Sequence, residues 1–340
     1  MKNLLTIALC ITVLTSCAGK EQSFSNPVYP GNRPDPTAIY SYDDKCYYSY
    51  ATGWNTTFLK SRDLVHWEKT EIRPFSKESV AAMKSHGNDC WAPQFAEIDG
   101  RYLLYMTIRS SAPDSRIAVA AADRVTGPYE FKGIVTDGLE TGIADTIDPF
   151  AFTDPGTGRV WLAFGSVGGI HIVELTSDGL AVKDGAGYRH IAGCKVEEDP
   201  SRLTVFEGSY VYRRDGWWYL FASAGRYNDY SYAIVVGRSR NPEGPYLDKE
   251  GNDMADGHAE VILSSSPYDP FYGPGHNGEI FTMTDGSTYM IYHVHVGDYR
   301  IDRRPRGYIS RAMNLQQVYW DKDGWPYFKK EEMAGGTNPM

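Results

Sequence analysis

The chain has 340 residues, with 34 Lys and Arg against 43 Asp and Glu, a net charge of −9. Charged residues make up 23% of it, too few for a disordered polyelectrolyte, and nothing broadly basic is present to meet phosphates, which argues against nucleic acid as a partner. Its 25 Tyr, 13 Phe, 8 Trp and 34 Gly suit many short strands and turns better than long helices.

Residues 1–16 read MKNLLTIALCITVLTS: one Lys, an apolar stretch from Leu4 to Leu14, then small residues. This is the pattern of a secretory signal peptide, too short to span a membrane. Leu14-Thr15-Ser16-Cys17 resembles a bacterial lipoprotein box, with a plain cleaved signal as the alternative. The expectation is a chain lipidated at Cys17, a linker over 17–25, and membrane attachment through that lipid alone, in the bacterial cell envelope, facing the periplasm or the cell surface. Of the other cysteines, Cys10 leaves with the signal. Cys46, Cys90 and Cys194 fit no zinc spacing and are expected as buried or free thiols, with room for one disulfide.

The mature chain repeats itself. A turn with Asp or Gly precedes an aromatic-rich apolar run at Asp43-Asp44, Asp99-Gly100, Thr157-Gly158, Asp215-Gly216 and Asp285-Gly286. The second turn residues fall at positions 44, 100, 158, 216 and 286, at intervals of 56, 58, 58 and 70. Further β-like runs follow, ending in Gly127-Pro128-Tyr129 and Gly244-Pro245-Tyr246, and little helical periodicity appears. Five such repeats predict an all-β, five-bladed β-propeller over 26–330, one domain where a prior of about 150 residues per domain suggests two. A two-sheet sandwich is the alternative, but it gives no reason for five repeats.

In a propeller the innermost strand of each blade lines the central channel and runs into that turn. Counting back nine or ten residues from each turn gives Asp35, Trp91, Asp148, Glu207 and His276. Blade symmetry would gather them at one mouth of the channel. Three carboxylates in a partly desolvated pocket push their pKa values apart, so that one keeps its proton while another remains a base. Glycoside hydrolysis needs that division. A calcium site is the competing reading of the same carboxylates.

These residues lie in motifs that resemble glycoside hydrolase family 43, from about Asn26 to about Trp325. The motifs are Asn26-Pro27-Val28 with Arg33-Pro34-Asp35-Pro36; Cys90-Trp91-Ala92-Pro93; Ile147-Asp148-Pro149 with Phe164-Gly165-Ser166; Phe206-Glu207-Gly208-Ser209; and Gly273-Pro274-Gly275-His276-Asn277. Within the family, the stretch Glu207 to Gly251 is most similar to the endo-1,5-α-L-arabinanases, although Pro34 stands where arabinanases often carry His, and Ala224 to Tyr230 lacks the paired cysteines some of them have. The resemblance implies an inverting hydrolase of α-1,5-linked L-arabinan, a plant cell-wall polysaccharide. Asp35 would be the general base, Glu207 the general acid, and Asp148 the residue that raises the pKa of the acid and orients it. Trp91 would be a sugar platform, with Ile147 and Ser166 walling the adjacent subsite. His276 would touch a calcium or sodium ion on the channel axis, otherwise held by water. Arg311 resembles a fifth-blade Arg of xylosidase-like members and is not counted among the expected site residues. An α-L-arabinofuranosidase or β-xylosidase on the same fold, and a sugar-binding lipoprotein without catalysis, are the other readings.

Overall fold

The computed structural model describes residues 23–110, 114–193, 205–300 and 310–339. The signal segment, Cys17 and Cys194 lie outside these residues. After β1 (Ser23–Ser25) the strands fall into five antiparallel sheets. The first holds β2 (Thr37–Ser41), β3 (Cys46–Tyr50), β4 (Leu59–Ser61) and β5 (Glu68–Lys69). The second holds β6 (Asp89–Ile98), β7 (Arg101–Arg109), β8 (Ser115–Ala122) and β9 (Glu130–Asp137). The third holds β10 (Phe150–Thr153), β11 (Val160–Ser166), β12 (Gly169–Leu175) and β13 (Arg189–Ala192). The fourth holds β14 (Phe206–Arg214), β15 (Trp217–Ala224), β16 (Ala233–Ser239) and β17 (Glu260–Leu263). The fifth holds β18 (Phe271–Gly275) and β19 (Ile280–Thr282), both paired with β20 (Thr288–Val296), then β21 (Arg311–Trp320) and β22 (Pro326–Tyr327). The strands β2, β6, β10 and β14 touch in succession around the axis. This is the five-bladed propeller that the repeats predict, and each of the five turns links an inner strand to the next one outward.

The segment ahead of blade 1 pairs onto blade 5 as the ring closes: Tyr29 and Met313 exchange backbone hydrogen bonds at 3.2 and 3.0 Å. The buried Asn26 donates through Nδ2 to the carbonyls of Leu315 (2.8 Å) and Met333 (3.1 Å), and its Oδ1 accepts the N–H of Leu315 (3.0 Å). A side-chain amide with both ends engaged is a specific latch, because each unmade bond would leave a buried polar group. Strand β1 pairs with β23 (Gly335–Thr337), so strand pairing lies on both sides of the expected 26–330 span.

Tyrosine fills the wedges between blades. Tyr105, Tyr129, Tyr219 and Tyr246 are fully buried, and each phenol finds a carbonyl: Gly179, Val125, Gly324 and Pro242 respectively. The two Gly-Pro-Tyr segments thus do one job twice, bonding back four residues in blades 2 and 4. Cys46 and Cys90 are buried unpaired thiols, with Cys90 pushed up to about 12 by burial. One feature without an apolar repeat to announce it is α1 (Lys77–Lys84), a helix capped by Ser76, whose hydroxyl accepts the N–H of Ser79.

A ring of cross-blade bonds joins the inner strands along the channel. The N–H of Phe95 donates to Thr37 (3.3 Å), that of Ala151 to Gln94 Oε1 (2.9 Å) and that of Ile280 to the Tyr210 hydroxyl (2.9 Å). Blade 5 grips blade 1 through Glu279, which accepts from the Ala38 N–H and the Thr37 hydroxyl, both at 2.6 Å. Glu279 is the one carboxyl among these four acceptors. Burial pushes its carboxyl up to about 7, against the two hydrogen bonds that lower it. Its unfolded value is about 4.3, so between about pH 4.3 and 7 the folded state holds a proton that the unfolded state has released. This contribution to stability therefore falls as pH rises through that window and is flat above it. Glu279→Gln keeps both bonds, with the amide donating to Thr37, and removes the titration. Melting temperature from pH 4 to 8 is expected to decline less in the variant than in the native chain; parallel curves would refute the assignment.

Candidate active site

At the top of each inner strand one residue turns left-handed: Asp35 (φ 54°), Ala92 (42°), Asp148 (57°), Gly208 (61°) and His276 (43°). Pairing shifts register at this point in blades 2 and 4, the mark of a bulge. In four blades the N–H exposed there donates to a side chain on the second strand of the preceding blade. Asp35 donates to His293 Nδ1 (3.2 Å), Ala92 to Thr52 (2.8 Å), Asp148 to Thr107 (3.0 Å) and His276 to Ser223 (2.6 Å). Blade 3 has Gly165 at that place, and the N–H of Gly208 goes instead to Asp148 Oδ2 (3.1 Å).

The bulges correct the count made from the turns. Asp35, Asp148 and His276 are the left-handed residues themselves, whereas Trp91 and Glu207 stand one residue earlier. The five expected residues therefore occupy two adjacent registers. Both registers open on the same space: a cavity of about 680 Å³ is lined by all of Asp35, Trp91, Ile147, Asp148, Ser166, Glu207 and His276.

Asp35 and Asp148 are equally buried, each 7% exposed, yet their carboxyls shift in opposite directions. Burial raises both. At Asp35 it is outweighed by the Arg311 guanidinium (2.7 Å from Oδ1), by His276 and by the Thr52 hydroxyl (2.6 Å from Oδ2), so the carboxyl lies below its ordinary value. At Asp148 burial is reinforced by the charges of Glu207 and Asp35, which hold it well above the carboxylate range. Glu207 accepts from Ser166 at Oε2 (2.7 Å) and from Tyr232 at Oε1 (2.8 Å). The cavity thus holds an ionised aspartate, Asp35, facing an aspartate, Asp148, that burial and its carboxylate neighbours hold toward its protonated form.

Ser166, expected as a subsite wall, lines the cavity with its hydroxyl engaged by Glu207. Trp91 carries the Arg109 guanidinium 4.9 Å over its ring, and Arg109 pairs with Asp145 at 3.4 Å. That cation covers one face of the ring. His276 Nδ1 lies 3.3 Å from Asp35 Oδ1 and 3.8 Å from Asp148 Oδ2, and burial lowers its pKa against the pull of Asp35 and Glu207. Beneath it an axial chamber of about 20 Å³ is bordered by Asp148, His276, Asn277 and Glu279. Asn277 Oδ1 is buried there without a hydrogen-bond partner among the described residues. No group of three His, Cys, Asp or Glu converges for a metal among the described residues. One imidazole and hard oxygen donors suit a cation only if water completes the shell.

Thr52, Tyr232, His293 and Arg311 belong to the site and were not among the expected residues. For part of them a signal existed: seven or eight residues past each turn stand Thr52, Thr107, Gly165, Ser223 and His293, four of the five able to accept a hydrogen bond. No repeat marks Arg311, on the third main strand of blade 5.

Residues 24–326 match the family model for glycosyl hydrolases family 43. An extracellular exo-α-(1→5)-L-arabinofuranosidase of Cellvibrio japonicus is 27% identical, over 84% of either chain. An extracellular endo-α-(1→5)-L-arabinanase of Bacillus subtilis is 28% identical over 85% of this chain and 69% of its own. Among solved structures, the Cellvibrio cellulosa α-L-arabinanase complexed with arabinohexaose superimposes with a TM-score of 0.72 at 27% identity, covering 88% of this chain and 96% of that one. With the match spanning all five blades and the acidic cavity between them, this chain belongs to glycoside hydrolase family 43.

Proposed function

We propose that the protein hydrolyses α-1,5-linked L-arabinan with inversion at the anomeric carbon. The observation that carries this reading is the opposed surroundings of two equally buried aspartates on one cavity, Asp35 bound by Arg311 and Thr52 and Asp148 set beside other carboxylates, which push their carboxyls in opposite directions. The names of the relatives supply the sugar. Asp35 takes the proton of a water attacking the anomeric carbon, and Arg311 and Thr52 keep it ionised and aimed. Glu207 gives its proton to the departing oxygen. Asp148 repels ionisation of its neighbour and, through the Gly208 N–H, fixes the backbone beside Glu207. Trp91 offers its indole to a furanose ring, next to Ile147.

A single calcium or sodium ion is part of the proposal. His276 and the buried Asn277 Oδ1 would hold it on the axis, with water as the remaining ligands. When bound it supplies positive charge beneath the carboxylates. The lipid at Cys17 is proposed to tether the enzyme to the cell envelope.

Glu207→Gln and Asp35→Asn are each expected to lower hydrolysis of debranched arabinan by about 10²-fold or more, with binding of arabino-oligosaccharides kept. Proton NMR of the first product should show the inverted anomer; the retained anomer would overturn the mechanism. Product sizing separates endo action, which releases oligomers, from the exo action named for the Cellvibrio japonicus relative, which releases small sugars only. Dialysis against a chelator should lower melting temperature and activity, both restored by calcium or sodium, and an indifferent enzyme would remove the ion from the proposal. Radiolabelled palmitate should enter the native chain in a bacterial host and not Cys17→Ser; equal labelling would place the lipid elsewhere.

A further inference from the structure

Three rings lie one on another beside the cavity. Tyr232 stacks on His293 with centroids 5.7 Å apart and planes 10° from parallel, and His293 stacks on His276 at 6.0 Å and 26°. Each ring holds a different part of the acidic set. The Tyr232 hydroxyl donates to Glu207 Oε1 at 2.8 Å. His293 Nδ1 accepts the N–H of Asp35 at 3.2 Å. His276 Nδ1 faces Asp35 and Asp148. Tyr232 and His293 are wholly buried, so neither can relax toward solvent.

The chemistry of each ring suits this arrangement. Burial, helped by Arg311, holds His293 well below its ordinary pKa, so it is neutral. With Nδ1 accepting, its proton sits on Nε2. Burial and then the Glu207 charge hold the Tyr232 phenol protonated, so it remains a donor. Space for the stack is cut by glycines. A Cβ on Gly275 would run into the Tyr232 ring, and one on Gly208 would press on His276 at 3.1 Å.

We propose that the Tyr232–His293 stack is the spacer that sets the distance between Asp35 and Glu207, with Tyr232 as a positioning residue for Glu207. The inference rests on the acid and base assignments above. An inverting pair must stand about 6.5–9.5 Å apart to admit a water, and a retaining pair about 5–5.5 Å. Two stacked rings, one bonded to the acid and the other to the backbone of the base, tie the positions of the two groups to each other. With Ser166 on Oε2 and Tyr232 on Oε1, Glu207 is also prevented from rotating.

Tyr232→Phe keeps the ring and removes only the hydroxyl. Two substrates read its effect: an α-1,5-arabino-oligosaccharide, whose leaving alcohol needs a proton, and a dinitrophenyl glycoside of the same sugar, whose leaving group needs none. The variant should lose about 10–100-fold in kcat on the oligosaccharide with KM nearly unchanged, and less than about threefold on the aryl glycoside, because only proton donation suffers. An unchanged melting curve confirms the fold. Equal losses on both substrates, or no loss on either, would overturn the positioning role. His293→Ala should impair both substrates, and His293→Asn, which can still accept the Asp35 N–H but carries no ring, should recover little of that loss; an Asn variant of near-native activity would overturn the spacer. Glu207→Gln measured alongside separates the two levels of the argument. If it still cleaves the oligosaccharide, the acid assignment fails and the inference falls with it. If it loses the oligosaccharide and keeps the aryl glycoside while Tyr232→Phe does not, the assignment stands and the spacer alone is refuted.

Discussion

Everything at the site follows from one backbone device, the left-handed residue at the top of each inner strand and the N–H it turns toward the neighbouring blade. A non-glycine residue in that region costs on the order of 1–3 kcal/mol, and a buried N–H without an acceptor costs about the same again. Neither is tolerable five times over unless the next blade supplies a partner. Thr52, Thr107, Ser223 and His293 do so. Closure of the ring and placement of the functional side chains are therefore one event. A blade that slipped along its neighbour would lose an acceptor and misplace a carboxylate together.

The third blade breaks the pattern, and the exception matters most. Gly165 has no side chain to offer, because its neighbour Gly169 lies too close for a Cβ. The orphaned N–H of Gly208 is taken by the carboxylate of Asp148. A structural debt of the fold is thus met by a reactive group, and the residue next to Glu207 becomes tied to Asp148. The tie itself lowers the Asp148 carboxyl, so it is not what separates two aspartates of equal burial and equal backbone conformation. Desolvation cannot distinguish them; their neighbours can. Asp35 faces Arg311, while Asp148 faces two other carboxylates, and the sign of each shift follows.

The fold was legible because a hairpin turn is local chemistry, repeated five times. The identity of the gathered residues was legible for the same reason, since a fixed distance from a turn is a fixed height on a blade. The count misjudged one step: Trp91 and Glu207 lie a residue before the bulge, and a bulge adds one residue without changing the hydrophobic pattern that surrounds it. Arg311 escaped because its partner Asp35 is at the other end of the chain, joined only when blade 5 meets blade 1. Helix α1 escaped because its sequence, KESVAAMK, buries only Ser79 and Met83 and so shows no apolar stripe.

Glycine marks what side-chain motifs leave unsaid. In Gly273-Pro274-Gly275-His276 the histidine draws the eye, but Gly275 is what lets Tyr232 lie flat against the inner strand, and Gly208 gives His276 room in the same way. Both glycines adjoin residues of the candidate machinery without carrying chemistry themselves. Their fixed absence of a side chain is the space in which three rings stack, and the stack bonds Glu207 at one end and the backbone of Asp35 in its middle. The motif therefore encodes a separation as much as a set of groups.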